Sequence, residues 1–294
     1  MGTLNLEKLF STTHSSPSRN FSVDSNPYEI SEKKSLRVLN LNAQSIKGKL
    51  PELHSILKYV KPDIVCCTET WLHGKKPGQN HSKDAVLDSE ITSVYKVFRN
   101  DRNSLGGGVL FLVSNSLIVT EQPELVTEFE LNWIKIKLRS AKDLYIGCFY
   151  MPHRNNSDLN RLEASLDKLN HKSNKHFLLC GDFNCPDIDW AQCTVNPNAD
   201  QRDVQQQLLD IASSHCLTQV VEEPTRQGNI LDLCFTTNHS LVKGVSVIPG
   251  ISDHDAVVID SIIKPTYQQF KRRTVLRFNK ADWCNLKQKC KTFW

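Results

Sequence analysis

Apolar residues recur along this chain with two periods, which predict strands and helices. Between residues 36 and 41 apolar and polar side chains alternate, which is typical of a strand. Residues 51–59 instead place Leu53, Ile56 and Leu57 on one helical face, with Pro51 in the first turn. Further helices are predicted at 159–169 and 205–213. Further strands are predicted at 64–67, 94–98, 107–113, 133–138, 144–149, 177–180, 231–235, 242–248 and 256–262.

The order of these elements predicts the fold class. Many strands with a few helices between them are typical of a layered α/β sandwich. Because the connections are as often hairpin-length as crossover-length, we expect mixed, mostly antiparallel sheets packed face to face. Residues 1–34, rich in Ser, Asn, Thr and Pro, are predicted to be a disordered leader. Residues 35–264 are predicted to form the folded domain, and residues 265–294 a basic linker or truncated connector.

Composition narrows the class of protein. The chain has 294 residues, of which 39% are hydrophobic and 23% charged, so a packed core is expected. The net charge of +4 permits a polyanionic partner without indicating one. No stretch reads as a membrane span, and the N-terminus lacks the apolar core of a signal peptide. The ten cysteines match no zinc spacing and are predicted to be reduced thiols of an intracellular protein.

Polar residues stand at the ends of many predicted strands. Ser252-Asp253-His254 precedes an apolar run, and Asp232 lies inside another, where a carboxylate is costly unless it is paired. Taken singly, most of these residues also fit an ordinary turn or a solvated loop. Their recurrence at strand ends indicates a shared site. The strand-end residues are Asn42, Glu69, Tyr150, Asp182, Asn184, Asp232, Asp253 and His254.

These residue types favour one kind of chemistry. Carboxylates and amides are oxygen ligands, which suit a hard divalent cation such as Mg²⁺. Beside a histidine, such a cation suits the attack of water on a phosphate ester. An acidic side chain would activate the water, and the imidazole would stabilise the charge of the transition state. The imidazole needs a second acid to orient it, and Asp232 is the candidate.

The ordered motifs around Asn42, Glu69, Tyr150, Asp182 and His254 resemble those of the endonuclease/exonuclease/phosphatase superfamily, which has the DNase I-like four-layered α/β sandwich. Within it, the chain is most similar to the endonuclease domain of non-LTR retrotransposons (LINE elements) of the jockey and chicken-repeat type. The resemblance covers roughly residues 36–264. Three motifs carry the narrower likeness: Asn40-Leu41-Asn42-Ala43-Gln44-Ser45, Arg99-Asn100-Asp101-Arg102 ahead of Gly106-Gly107-Gly108-Val109, and Pro224-Thr225-Arg226.

The resemblance implies a role for each residue. Glu69 would be the principal metal ligand, with Asn42 and Asp253 nearby, for Mg²⁺ or alternatively Mn²⁺. Asp182 would orient or deprotonate the attacking water, while Asn184 and Tyr150 would hold the scissile phosphate. His254 would stabilise the charge of that phosphate, with Asp232 fixing its ring. Further candidates for nucleic-acid contact are Ser252, Thr225 and Arg102.

The resemblance implies a Mg²⁺-dependent DNA endonuclease of a non-LTR retrotransposon, which nicks DNA by phosphodiester hydrolysis to leave a 3′-hydroxyl and a 5′-phosphate. DNA and a divalent metal are the expected partners, without a membrane, and the substrate implies a nuclear location. In LINE elements a reverse transcriptase follows this domain, and residues 278–283 resemble the connector. Two alternatives stay open: an abasic-site endonuclease or other phosphoesterase of the same fold, and a non-catalytic nucleic-acid-binding remnant.

Overall fold

The computed structural model contains two six-stranded sheets. It describes residues 35–79, 87, 89–102 and 106–268. The predicted leader and nearly all of the predicted linker lie outside these residues. The helices are α1 (Leu50–Val60), α2 (Ser89–Val94), α3 (Asn156–Asn170) and α4 (Arg202–Ser214). The strands are β1 (Arg37–Asn42), β2 (Ile64–Thr68), β3 (Tyr95–Asn100), β4 (Val109–Ser114), β5 (Val119–Glu121), β6 (Leu131–Lys137), β7 (Asp143–Tyr150), β8 (Lys175–Asp182), β9 (Ile188–Asp189), β10 (Thr194–Val195), β11 (Thr218–Gln219), β12 (Asp232–Thr236), β13 (Val242–Ile248) and β14 (Ala256–Ser261).

Strand order confirms the predicted mixed, mostly antiparallel sheets. The first sheet runs β13-β14-β1-β2-β4-β3, and the second β11-β12-β8-β7-β6-β5. In each of them one neighbouring pair is parallel, β1 with β2 and β7 with β8. A parallel pair needs a crossover connection, which α1 and α3 provide. The short strands β9 and β10 form a separate ladder after β8.

Three apolar clusters hold four layers together. The central cluster joins the facing sides of the two sheets and includes Phe111 and Ile146. A second cluster packs α3 and α4 against the outer face of the second sheet, and a third packs α1 against the outer face of the first. The predicted four-layered α/β sandwich is therefore confirmed. Among the described helices, none has the length and apolar surface that crossing a bilayer requires.

The main helices form where the apolar periods predict them. In α1, Leu53, Ile56, Leu57 and Val60 are buried, and the helix ends at Lys61 in the left-handed conformation. Helix α3 begins three residues before its predicted start, because the side chain of Asn155 accepts a hydrogen bond from the backbone N–H of Asp158 at 2.8 Å. Helix α2 and the short strands β5, β9, β10 and β11 carry too few periodic positions to be predicted.

Buried cysteines line the strands as expected. Of the described cysteines all are free, and Cys193 and Cys216 are the exposed ones. Cys180 and Cys234 face each other across β8 and β12, with their sulfur atoms 3.6 Å apart. These thiols fill the interior directly beneath the polar strand ends.

The topology brings six strand ends to one edge of the sandwich. Strands β1 and β2 are parallel, as are β7 and β8, so each pair ends together. Strands β12 and β14 run antiparallel to their neighbours, so they begin where those neighbours end. Asp232, for example, lies opposite Asp182 in the register of β12 and β8. The edge therefore collects polar residues that are far apart along the chain.

Gly181 allows the close approach of β7 and β8 beneath this edge. Its φ is +147°, and a Cβ there would lie 1.8 Å from the carbonyl oxygen of Phe149. We expect Gly181→Ala to lower the free energy of unfolding by about 3 kcal/mol, since the strands must separate to admit the methyl group. Gly244→Ala in β13 is the matched control, because nothing lies within 4 Å of its added Cβ. Urea denaturation followed by tryptophan fluorescence measures both, and equal stabilities would contradict this account.

Candidate active site

The side-chain amide of Asn42 connects the two sheets at this edge. Asn42 ends β1 and is fully buried. Its Nδ2 donates to Oε1 of Glu69 at 3.0 Å and to Oδ2 of Asp182 at 2.9 Å. Glu69 follows β2 in the first sheet, whereas Asp182 ends β8 in the second. One amide group therefore holds two carboxylates from opposite sheets at a single point.

A carboxylate–imidazole pair lies beside this amide. Nδ1 of His254 is 2.7 Å from Oδ2 of Asp232, and the two side chains are 2% and 0% exposed. Burial by itself lowers the pKa of His254, but the hydrogen bond to Asp232 and the charge of that residue outweigh it, so the pKa is raised. Since Nδ1 is engaged, Nε2 is the ring nitrogen left to contact a substrate.

Asp182 completes a buried polar cluster with this pair. One ligand atom from each of Asp182, Asp232 and His254 lies within 4.8 Å of the others. Burial raises the pKa of Asp182 well above its ordinary value, and the negative charge of Asp232 raises it further. Burial also raises the pKa of Asp232. Asp182 therefore has a higher affinity for a proton than an exposed aspartate.

Asn184 is held in place by the turn that follows β8. Its backbone N–H donates to Oδ1 of Asp182 at 3.1 Å, and its Nδ2 donates to the carbonyl oxygen of Met151 at 2.8 Å. The φ of Asn184 is +49°, and the φ of Glu69 is +50°. Left-handed backbone is tolerated by asparagine but unusual for glutamate. Such backbone often occurs at functional sites, where surrounding contacts maintain it.

Tyr150 joins the cluster at the end of β7. Burial, followed by the negative charges of Glu69 and Asp182, raises its pKa. The phenol therefore stays protonated at neutral pH and can donate a hydrogen bond. The guanidinium of Arg102 lies 5.8 Å from the centre of its ring.

Glu130 fixes Arg102 and is a residue that the sequence did not reveal. Its carboxylate pairs with the guanidinium of Arg102 and accepts the backbone N–H of Gly108 at 2.5 Å. Its backbone carbonyl accepts the N–H of Tyr150 at 2.9 Å. Arg102, predicted to contact nucleic acid, is thus engaged within the protein. A glutamate between Phe129 and Leu131 resembles an ordinary edge residue, so no motif marked it.

Two other residues predicted to contact nucleic acid, Ser252 and Thr225, are also engaged in hydrogen bonds within the protein. The hydroxyl of Ser252 donates to the carbonyl oxygen of Asn42 at 2.7 Å and accepts the N–H of His254 at 3.2 Å. The buried hydroxyl of Thr225 accepts the N–H groups of Leu231 and Asp232, each at 3.1 Å. Ser252 and Thr225 therefore fix the loops that present His254 and Asp232.

Asp253, predicted to lie near the metal, has its carboxylate on Arg226. The distance from Oδ2 of Asp253 to Nη2 of Arg226 is 2.5 Å, and the Asp253 side chain is 40% exposed. Two residues of the predicted metal set, Glu69 and Asn42, are hydrogen-bonded to each other. The same amide nitrogen of Asn42 also donates to Asp182. The predicted roles of all these residues stay predictions.

The donor chemistry at this edge fits a divalent cation. The carboxylates of Glu69 and Asp182 converge on the side-chain NH₂ group of Asn42, which carries only a partial positive charge. Oxygen donors of this kind suit a hard cation. Glu69 and Asn42 are the residues that would hold it, and the buried group of Asp182, Asp232 and His254 is a second possible acidic metal site.

Comparisons with known proteins give a family match over part of the chain and a shared fold. A family model described as endonuclease-reverse transcriptase matches residues 144–258. The endonuclease domain of TRAS1, a telomere-specific non-LTR retrotransposon, has 20% sequence identity and a TM-score of 0.59, covering 77% of this chain and 98% of that one. A search of the curated proteins found no match.

Two further solved structures share the fold. The 3′ phosphatase NExo from Neisseria, solved with a product DNA hairpin, has 15% identity and a TM-score of 0.57, covering 77% of this chain and 99% of that one. The catalytic domain of APE2 from Xenopus laevis has 15% identity and a TM-score of 0.55, covering 80% and 94%. The resemblance recognised in the sequence is therefore confirmed: the chain has the DNase I-like endonuclease/exonuclease/phosphatase fold and is similar to retrotransposon endonucleases, with residues 144–258 matching the endonuclease-reverse transcriptase family.

Proposed function

We propose that this chain is a metal-dependent DNA endonuclease of retrotransposon type, which hydrolyses a phosphodiester to leave a 3′-hydroxyl and a 5′-phosphate. The observation that carries the proposal is the convergence of the Asp232–His254 pair, Asp182 and the Asn42–Glu69 contact at one edge of the sandwich. The match to the endonuclease-reverse transcriptase family and the likeness to the TRAS1 domain support it.

The proposed cofactor is Mg²⁺, with Mn²⁺ as a substitute. When bound by Glu69 and Asn42, with Asp253 nearby, the cation supplies charge neutralisation for the phosphate and the departing oxygen. The side chains around it then bind and orient the ester. Asp182 and Asp232 are buried close together, and their negative charges would repel a phosphate, so a bound cation would offset that repulsion.

Asp182 is the proposed base for the attacking water. Its raised proton affinity suits a group that must accept a proton as the water oxygen bonds to phosphorus. The hydrogen bonds from Asn42 and from the N–H of Asn184 hold its two oxygens in fixed directions. As the new P–O bond forms, the bond from phosphorus to O3′ breaks.

Asn184, Tyr150 and His254 are proposed to contact the phosphate. Each can donate a hydrogen bond to a non-bridging oxygen, Tyr150 as a neutral phenol and His254 as an imidazolium. Asp232 keeps the imidazole protonated and fixes its ring. Donors placed before the reaction begins stabilise the added negative charge of the transition state without reorganising.

The first prediction concerns strand nicking. Supercoiled plasmid with Mg²⁺ should become open circular, and a chelator should abolish this. Glu69→Ala and His254→Ala should each lower the rate by about 10²-fold or more, because each removes a group that acts on the phosphate. Glu90→Ala in α2 is the matched control, since this exposed glutamate pairs with Lys58 away from the site and should leave the rate unchanged.

Two outcomes would contradict this assignment. One is intact plasmid with the wild-type protein and either metal; the other is equal nicking by Glu69→Ala, His254→Ala and the wild type. A duplex with a single abasic site serves as a parallel substrate. Strong preference for that duplex would favour the repair-type alternative, since the same chemistry can act on either substrate.

The second prediction separates catalysis from stability at Asp232. Asp232→Asn keeps the shape but removes the charge that holds His254 protonated, so the nicking rate should fall by about 10²- to 10⁴-fold. The midpoint of thermal unfolding should not fall, because burial raises the pKa of Asp232 and makes its charged form costly in the folded state. Asp189→Asn, at an exposed position in β9, controls for general effects. Loss of the folded state in Asp232→Asn would show that the residue is mainly structural.

A further inference from the structure

A cavity of about 250 Å³ opens beside Asn184, outside the polar cluster. Its polar lining residues are Arg154, Asn184, Arg226, Gln227 and Asn229. Two guanidinium groups and three amides thus face one small space. Among the described residues no carboxylate side chain lines it, although Asp200 and Asp253 pair with the two arginines from outside. This lining favours an anion that accepts several hydrogen bonds.

Hydrogen bonds to neighbouring residues hold the Arg154 side chain at the border of this cavity. Its Nη2 lies 3.0 Å from Oδ2 of Asp200, its Nε 3.3 Å from Oε1 of Gln201, and its Nη1 3.5 Å from the carbonyl oxygen of Asn184. The Asp200 side chain is 76% exposed, so water screens this ion pair and the pair competes weakly with a bound anion. The guanidinium is therefore positioned next to Asn184 without being neutralised there.

Arg226 brings the second guanidinium on the short turn between residues 226 and 229. Its Nη2 pairs with Asp253 at 2.5 Å. Its Nε is buried and has no hydrogen-bond partner among the described residues. A buried donor without an acceptor costs about 1–3 kcal/mol, which an oxygen-rich ligand would relieve.

A larger cavity beside Tyr150 has a different balance of charged lining residues. It is about 760 Å³ in volume and extends from Tyr150 and Arg102. Four acidic residues line it against three basic ones: Asp101, Glu128, Glu130 and Asp158 against Lys76, Arg102 and Lys168. A phosphate is therefore repelled from this cavity more than from the Arg154–Arg226 cavity. The two cavities differ in how well they suit a charged backbone.

We propose that the Arg154–Arg226 cavity binds a backbone phosphate next to the scissile one. This inference rests on the proposed function, in which Asn184, at the border of the cavity, holds the scissile phosphate. Planar guanidinium groups bind phosphate oxygens in pairs, so two of them suit one phosphate well. The cavity then selects a substrate with at least two linked phosphates, which a nucleic-acid strand has and a small phosphoester lacks.

The test measures binding and cleavage separately. Affinity for a fluorescent duplex oligonucleotide is measured by anisotropy in a chelator, over a series of salt concentrations. Arg154→Ala and Arg226→Ala should each weaken binding about tenfold and reduce the slope of log affinity against log salt by about 1, because each removes one phosphate contact. Arg161→Ala, an exposed arginine in α3 paired with Asp158, is the control and should change neither.

A one-phosphate substrate separates this cavity from the catalytic residues. With bis(p-nitrophenyl) phosphate and Mg²⁺, Arg154→Ala should match the wild type within about twofold, while its KM for plasmid rises about tenfold. Arg226→Ala is compared by anisotropy alone, because Arg226 pairs with Asp253 of the proposed metal set. Asp200→Asn removes the outer partner of Arg154 and should not weaken binding. If it weakens binding as much as Arg154→Ala does, the arginine only holds a loop, and the proposal is wrong.

The remaining outcomes are also decisive. Wild-type affinity and salt slope in both arginine variants would overturn the proposal. Weaker binding with an unchanged salt slope would overturn it too, because an uncharged part of the nucleotide would then occupy the cavity. If the wild type cleaves neither substrate, the proposed function fails, yet the anisotropy series still decides whether the cavity binds a phosphate.

Discussion

The double hydrogen bond from the Asn42 amide is the interaction on which the geometry of the site depends. Each sheet supplies only part of the polar group, and the two parts carry like charges that repel one another. The NH₂ group of Asn42 lies between Glu69 and Asp182 and donates to both. Beneath it, the apolar cluster between the sheets fixes their separation. Without this amide, little would hold two carboxylates together at a buried edge.

The same crowding explains the electrostatics. Asp182 and Asp232 are fully buried near Glu69, and His254 is the one member of this cluster that can carry a positive charge. Burial raises the pKa of both aspartates, and the charge of Asp232 raises that of Asp182 further. The contact with Asp232 raises the pKa of His254 against its own burial. Neutral residues would pack at this edge at lower free-energy cost, so a buried group of ionisable side chains favours a functional role. A divalent cation would offset these negative charges when an anionic phosphate binds.

Scaffolding within the site is extensive. Ser252 and Thr225 use their hydroxyls to fix the loops around His254 and Asp232, and Glu130 fixes Arg102 against the ring of Tyr150. These contacts immobilise donors before a substrate arrives, which lowers the reorganisation that catalysis requires. The two cavities beside the site also differ: two guanidinium groups line the one beside Asn184, whereas acidic residues outnumber basic ones in the one beside Tyr150.

The sequence by itself determined the fold class, the main strands and helices and the residues that meet at the strand ends. It could do so because periods of two and 3.6 are local properties, and because polar residues at strand ends stand out against apolar runs. Helix α2 and the two- and three-residue strands carry no such period. Tertiary structure alone decided that Asp253 pairs with Arg226, that Glu130 holds Arg102, and that Arg154 lies beside Asn184. These pairs join residues 27 to 30 positions apart through loops whose paths no local pattern encodes.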